Sequence, residues 1–206
     1  FVEKEASKNE KDYLDALLNL VDEQQKESLA RSYYGNSVFI SQAKRLYRNA
    51  VEKEKIDSER KPGYQERDQE KIMNRIKSLD YSFDLKVDKA IFTDRLSVYA
   101  KIEPSLRRPT YSKLLKLDSG LNEMNQAVDE IYSSQYKDSE SFLKMMEFSL
   151  DELNDSTDPL IVFAKKTYEE SLEYEKKYEA ISARRQLLKS KYIVLLKNYY
   201  ETSNRQ

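Results

Sequence analysis

Neither histidine nor cysteine occurs anywhere in the 206 residues. Without an imidazole, no Ser-His-Asp or Cys-His arrangement can relieve a nucleophile of its proton near neutral pH. Zinc sites that draw on thiolate or imidazole, and helical di-iron sites built on Glu-x-x-His pairs, fall with it. Sites made of carboxylates alone survive in principle, but nothing in the sequence implies a metal or a cofactor. The missing cysteine excludes a disulfide framework and says nothing about the redox compartment. A dominant charge sign is also absent: 36 Lys and Arg face 37 Asp and Glu, interleaved along the chain. No single-signed field is therefore available to attract phosphate backbones or anionic lipid, which disfavours nucleic-acid binding. No segment approaches the roughly 18 consecutive apolar residues of a membrane span. The chain opens on Phe1-Val2-Glu3-Lys4-Glu5, without Met or an apolar secretory stretch, as expected of a processed or excised piece.

Glycine and proline are scarce: Gly35, Gly63 and Gly120, with Pro62, Pro104, Pro109 and Pro159. So few helix punctuators divide the chain into long uninterrupted stretches. The expected fold is all-α, an antiparallel helical bundle of about six to eight helices in a single domain over residues 1–206, closed by a very long C-terminal helix. From Lys8 to Tyr34, Leu14, Leu17, Leu18, Val21 and Leu29 mark one apolar helix face. Gly35-Asn36 interrupts it. Val38, Phe39, Ala43, Leu46, Tyr47, Ala50 and Val51 continue at helical spacing to about Ile56, and this pair reads as an αα-hairpin. Arg60-Lys61-Pro62-Gly63-Tyr64 must leave the helix, because the residue before proline disfavours helical geometry and glycine follows directly.

Ile72, Ile76, Leu79 and Tyr81, then Leu85, Val87, Ile91, Leu96 and Tyr99, predict two helices between Arg67 and Ile102 with a bend near Ser82-Phe83-Asp84. Glu103 to Pro109 is irregular, and shorter helices follow around Ser112–Lys116, Leu121–Ser133 and Ser139–Phe148. Asp158-Pro159 is a helix start with a mechanism: the Asp oxygen accepts an orphan amide, and proline fits the first helical position. Leu160, Phe163, Ala164, Tyr168, Leu172, Tyr178, Ile181, Leu188, Tyr192, Leu195 and Tyr199 then keep helical spacing to about Glu201. At ~1.5 Å per residue such a helix would extend roughly 60 Å.

Sixteen tyrosines and seven phenylalanines invite an aromatic binding surface. Tyr168, Tyr178, Tyr192 and Tyr199 nonetheless lie on the apolar stripe, where packing is the simpler reading. In Tyr33-Tyr34 and Tyr199-Tyr200, neighbours point to different faces, so one of each is expected to be exposed. The acidic pairs Glu169-Glu170 and Asp151-Glu152, and the basic pairs Arg107-Arg108 and Arg184-Arg185, read as solvated or ion-paired charge.

The run Lys55-Ile56-Asp57-Ser58-Glu59-Arg60-Lys61-Pro62-Gly63-Tyr64-Gln65-Glu66-Arg67-Asp68, preceded by Ala43-Lys44-Arg45-Leu46-Tyr47-Arg48, carries more information. It resembles a segment of the bacterial trypsin-like serine dipeptidyl-peptidase family that includes dipeptidyl-peptidases seven and eleven. Phe83-Asp84-Leu85-Lys86-Val87-Asp88-Lys89-Ala90 is similar to the family's next helix, and Asn154-Asp155-Ser156-Thr157-Asp158-Pro159-Leu160 to the start of its last long helix. The landmarks fall in the family's order, while Arg107 to Phe148 matches in helical character alone.

Members of that family combine a chymotrypsin-like double β-barrel with an inserted helical domain that caps the cleft, and they remove dipeptides from peptide N-termini. The resemblance implies that this chain is the cap, that the triad belongs to the barrel, and that no catalytic residue maps onto this sequence. The family's Asn clamp on the substrate amino group is placed upstream of Phe1. Tyr64 is the single candidate for substrate contact, although its loop is better explained as a turn between helices with Tyr64 as anchor and Gly63 relieving steric constraint. Implied partners are peptide substrates and the β-barrel of the same polypeptide; a homodimer is left open. Export to the periplasm is implied by the resemblance only. The competing reading is a non-enzymatic helical bundle or coiled-coil interaction module. Against it, the long stripe drifts with the 3.6-residue period rather than holding a strict heptad.

Overall fold

The computed structural model describes residues 8–33 and 37–203. Tyr34, Gly35 and Asn36, where the sequence places the first helix break, lie outside the described residues, as do the side chains of Leu29, Tyr33 and Tyr199. Every helix or strand assigned among the described residues is helical: α1 (Lys8–Tyr33), α2 (Val38–Lys53), α3 (Gln69–Lys77), α4 (Leu79–Ser82), α5 (Leu85–Tyr99), α6 (Pro109–Leu114), α7 (Leu121–Tyr132), α8 (Ser139–Glu147), α9 (Leu150–Asp155), α10 (Pro159–Lys166) and α11 (Tyr168–Ser203), with 3-10 turns at Asp57–Glu59, Glu66–Asp68 and Pro104–Leu106. The all-α class and the long last helix are as the sequence predicts, though the stretch before that helix is divided more finely.

The chain forms two compact units, one of Phe1–Leu29 with Ser171–Gln206 and one of Ala30–Glu170. Most of α1, up to Leu29, thus falls in a different unit from α2, with which it is expected to pair as one hairpin. In the terminal unit, Glu27 bonds Lys177 and Glu23 bonds Arg184. Residue numbers fall along α1 as they rise along α11, so the two helices run antiparallel. Exposed ion pairs of this kind are worth only about 0–1 kcal/mol each; Leu20 and Ile181, one on each helix, are buried. Leu18 and Val21, placed on the packed face by their spacing, are exposed instead. The packed face of α1 follows Tyr13, Leu17, Leu20, Gln24 and Glu27, all buried or half-buried.

In the larger unit, α2 is the central element, contacted by α5, α8, α9 and α10. Ser37 starts it, its Oγ accepting from Ile40 N at 2.9 Å. Phe39 on its first turn is fully buried and meets Tyr132, Phe142 and Phe83 with ring centroids 4.8, 5.9 and 6.5 Å apart. Such ring pairs add about 0.5–1.5 kcal/mol each beyond the area they bury. A second aromatic group joins Tyr99, Tyr111 and Phe163 at 6.0 and 5.6 Å.

The bend expected near Ser82-Phe83-Asp84 is present, and Asp84 caps α5 by accepting from Val87 N at 2.9 Å. On α5, however, Val87 and Ile91 are exposed, while Asp88, Phe92, Leu96 and Tyr99 face inward. The Asp158 cap is also present, with Leu160 N at 3.0 Å from its Oδ1 and Pro159 in the first turn. The helix it starts stops at Lys166. Buried Thr167 donates its Oγ1 back to Phe163 O at 2.8 Å, a bond that competes with helix continuation, and α11 starts afresh at Tyr168. Its 36 residues reach about 54 Å at ~1.5 Å per residue. Tyr168 is half-buried, with its ring 5.4 Å from that of Tyr47, whereas Tyr178 and Tyr200 are exposed.

Candidate functional site

The loop singled out by the sequence joins α2 to α3 and is tied down at nearly every step. Glu52, 2% exposed at the end of α2, accepts from Lys61 N at 2.9 Å and pairs with Lys55 at 2.9 Å. Burial alone would raise its pKa, but these donors win and hold it below the ordinary carboxylate value. Asp57 accepts from Glu66 N at 2.7 Å, and buried Asp68 accepts from Gly63 N at 3.0 Å. Gln69 and Asn49 exchange amide hydrogen bonds at 3.0 and 3.2 Å, and Gln69 Nε2 also donates to Tyr64 O at 3.0 Å. Gly63 sits at φ +94°, in the left-handed region that glycine enters without steric cost.

Tyr64 is half-buried, packs against the core, and lies 5.2 Å from the Arg48 guanidinium across its ring face. Its phenol is held by a cation–π contact worth about 0.5–2 kcal/mol. Among the described residues no group of three or more acidic side chains is placed to hold a metal ion.

The runs that carry the resemblance converge in space. Tyr47 donates its hydroxyl hydrogen to Asn154 Oδ1 at 2.9 Å, joining the Ala43–Arg48 run to the Asn154–Leu160 run. Asp88, from the third run, sits at the start of α2. Its Oδ1 accepts from Val38 N at 2.7 Å, and its Oδ2 accepts from Ser37 Oγ at 2.8 Å and from the Tyr132 hydroxyl at 2.6 Å. A serine beside an aspartate suggests a nucleophile, but Ser37 is 1% exposed, its Oγ already donates to Asp88, and no base stands between them. Burial first, and the Asp88 carboxylate next, push the Tyr132 phenol far above its usual value, so it stays a neutral donor. The cluster is a clasp joining α2, α5 and α7. It escaped the sequence reading, although Leu85, Asp88, Phe92, Leu96 and Tyr99 repeat at three- and four-residue spacing with a charge at one core position.

The paired charges divide similarly. Glu170, 7% exposed, accepts from Thr110 N at 2.6 Å and Tyr111 N at 3.2 Å, capping α6 from sixty residues away. Glu152 completes a capping box with Ser149 at the start of α9. Arg107 is not solvated: 4% exposed, it pairs with Asp118 at 2.6 Å. Arg184 is exposed and pairs with Glu23.

No helix among the described residues is long and apolar enough to cross a membrane. The family model for peptidase S46 matches residues 2–206. A protein of Shewanella putrefaciens described as an Asp/Glu-specific dipeptidyl-peptidase is 30% identical over 189 residues, which is 90% of this chain and 26% of that relative. The chain therefore spans about a quarter of the relative's length. By the extent of these matches, this chain belongs to the peptidase S46 family.

Proposed function

We propose that this chain is the helical cap of a serine-type dipeptidyl-peptidase, covering the active-site cleft and limiting access to short, unblocked peptide N-termini. One observation carries the reading. A peptidase family model matches residues 2–206 of a chain that holds no histidine, so a serine-type reaction draws its base from elsewhere in the polypeptide. The partner is then the trypsin-like β-barrel of the same polypeptide, the location is periplasmic, and the chain alone is inactive. Closure over the cleft would exclude water and select substrates by length. The tied-down loop around Tyr64 suits a rigid face better than a mobile lid.

The test uses the longer polypeptide that contains this chain, assayed for dipeptide release from peptides with free and with acetylated N-termini. Release from free ends alone is expected, together with loss of that discrimination when residues 1–206 are replaced by a short linker. Equal cleavage of free and acetylated substrates by the intact polypeptide would sink the cap reading. A second reading, a helical interaction module, draws support from the exposed Leu187, Ile193, Val194 and Tyr200 on α11. It predicts no dipeptide release from the longer polypeptide with either substrate.

A further inference from the structure

Between α2, α3 and α4 lies a groove of about 390 Å³ lined by Ser37, Val38, Ser41, Gln42, Arg45, Arg75, Ser78, Leu79 and Ser82. Its polar chemistry is one-sided. Two guanidiniums and several hydroxyls face it, and no acidic residue does. Neither Arg45 nor Arg75 forms an ion pair with a described residue; the bond assigned to Arg45 is a long one, 3.5 Å from Nη1 to Gln42 Oε1. Gln42 is 3% exposed, and its Nε2 has no hydrogen-bond partner, a buried donor left unsatisfied where such groups are ordinarily paired. Burial, then the positive charge of Arg75, lower the pKa of Arg45. The two cations thus repel one another in a partly desolvated cleft. Asp88, which bonds the lining residues Ser37 and Val38, is further engaged by Tyr132.

We propose that this groove binds a carboxylate carried on an aliphatic stem, the acidic side chain or C-terminal residue of a peptide, through Arg45 and Arg75 with Gln42 as a third donor. Arginine's fork matches a carboxylate's two oxygens. The hydroxyls of Ser78 and Ser82 now donate to carbonyls of their own segment, Arg75 O and Ser78 O, and rotate freely enough to serve an added acceptor. A bare phosphate would satisfy the cations yet leave the apolar side chain of Val38, 47% exposed, uncovered; a carboxylate with methylenes behind it meets both. The volume lies within the range of small-ligand sites.

The test is a titration of the isotope-labelled chain, followed by the side-chain resonances of Gln42, Arg45 and Arg75. The probes are N-acetyl-glutamyl-alanine amide, with one side-chain carboxylate; N-acetyl-alanyl-alanine, with one terminal carboxylate; the uncharged N-acetyl-glutaminyl-alanine amide; and inorganic phosphate. Saturable shifts with either carboxylate peptide are expected, and which one responds identifies the carboxylate. Arg45→Gln and Arg75→Gln should each weaken binding at least tenfold, and Arg60→Gln in the neighbouring loop less than twofold. Ser41→Glu, at an exposed position, supplies a built-in carboxylate. It should abolish binding while leaving the melting temperature unchanged or raised, so a folding defect in either arginine variant does not decide the matter. No saturable shift, an equal response to the uncharged peptide, or tighter binding of phosphate would each overturn the proposal. The reading as a peptidase cap is unaffected by any of these results, because the titration involves no catalysis.

Discussion

Replacing Asp88 with alanine tests whether the buried clasp, rather than apolar packing alone, fixes the start of α2. The wild-type carboxylate accepts three hydrogen bonds of 2.6–2.8 Å from Ser37, Val38 and Tyr132. After truncation, the two hydroxyls still bond each other at 2.9 Å. Val38 N, at the first helical position, has no partner within its own helix, and one hydroxyl hydrogen is also stranded. An abandoned buried donor costs about 1–3 kcal/mol, so two of them give a loss of ~3 kcal/mol. At ~2–4 °C per kcal/mol for a chain of this size, the melting temperature should fall by about 6–12 °C. Urea unfolding followed by far-ultraviolet dichroism gives the free energy directly. Tyr132→Phe removes one donor and leaves the carboxylate two, costing about 1 kcal/mol. The double variant should lose less than the sum, by about 1 kcal/mol, since both changes break the same bond. A loss below ~1 kcal/mol for Asp88→Ala, or strict additivity, would refute the assignment of the clasp as a stabilising unit.

Glu170→Ala strands the amides of Thr110 and Tyr111, and should cost ~2 kcal/mol and raise hydrogen exchange at those two amides above that of the α2 core. Gly63→Ala meets no atom within 4 Å of the new Cβ, so its cost is the left-handed backbone alone, about 1–2 kcal/mol by chemical denaturation; a neutral result would mean that the loop relaxes. Alkaline titration should destabilise the fold. Burial raises the phenol pKa values of Tyr47, Tyr132 and Tyr136, and pushes Tyr168 up to about 12, whereas unfolded tyrosines ionise near 10.0. The folded chain therefore holds more protons above that value, and stability present at pH 9 is lost as pH rises through 10 to 12 and beyond. Urea midpoints measured at pH 8, 10 and 11 should fall in that order, and less steeply for Tyr132→Phe.

Helix positions were legible wherever a breaker has a mechanism. Pro62-Gly63, Pro109 and Asp158-Pro159 each mark a boundary that the structure keeps, because proline and glycine restrict backbone geometry whatever surrounds them. Helix faces were less legible. Leu18, Val21, Val87 and Ile91 are apolar and exposed, while Asp88, Gln42 and Asn49 are polar and buried; a stripe drawn through apolar residues alone assigns the wrong side when a core position holds a hydrogen-bonded polar group. Helix α9 was missed although Ser149-Leu150-Asp151-Glu152 spells a capping box, since six residues are too few for periodicity to register. The break at Thr167 was invisible for a different reason. Threonine mid-helix is ordinary in sequence, and only its burial against Phe163 O turns it into a stop.

Tyr64 illustrates the same division at the candidate site. Its position in a turn follows from Pro62-Gly63, but its seat beneath Arg48 depends on how α2 and the loop are packed. The acidic residues extend the point. A chain with 37 carboxylates invites the reading that each is solvated, yet Glu52, Asp68, Asp88 and Glu170 are all buried: Glu52 and Asp68 accept from the loop amides of Lys61 and Gly63, and Asp88 and Glu170 from first-turn amides of α2 and α6. Short helices leave many first-turn amides without partners in their own segment, and in a fold cut into so many pieces those amides need acceptors from elsewhere. Carboxylates are strong acceptors at a helix start. At Asp88 and Glu170, helix starts and buried acids are thus two aspects of one solution, in which side chains supply the acceptors that the preceding turn provides within a longer helix.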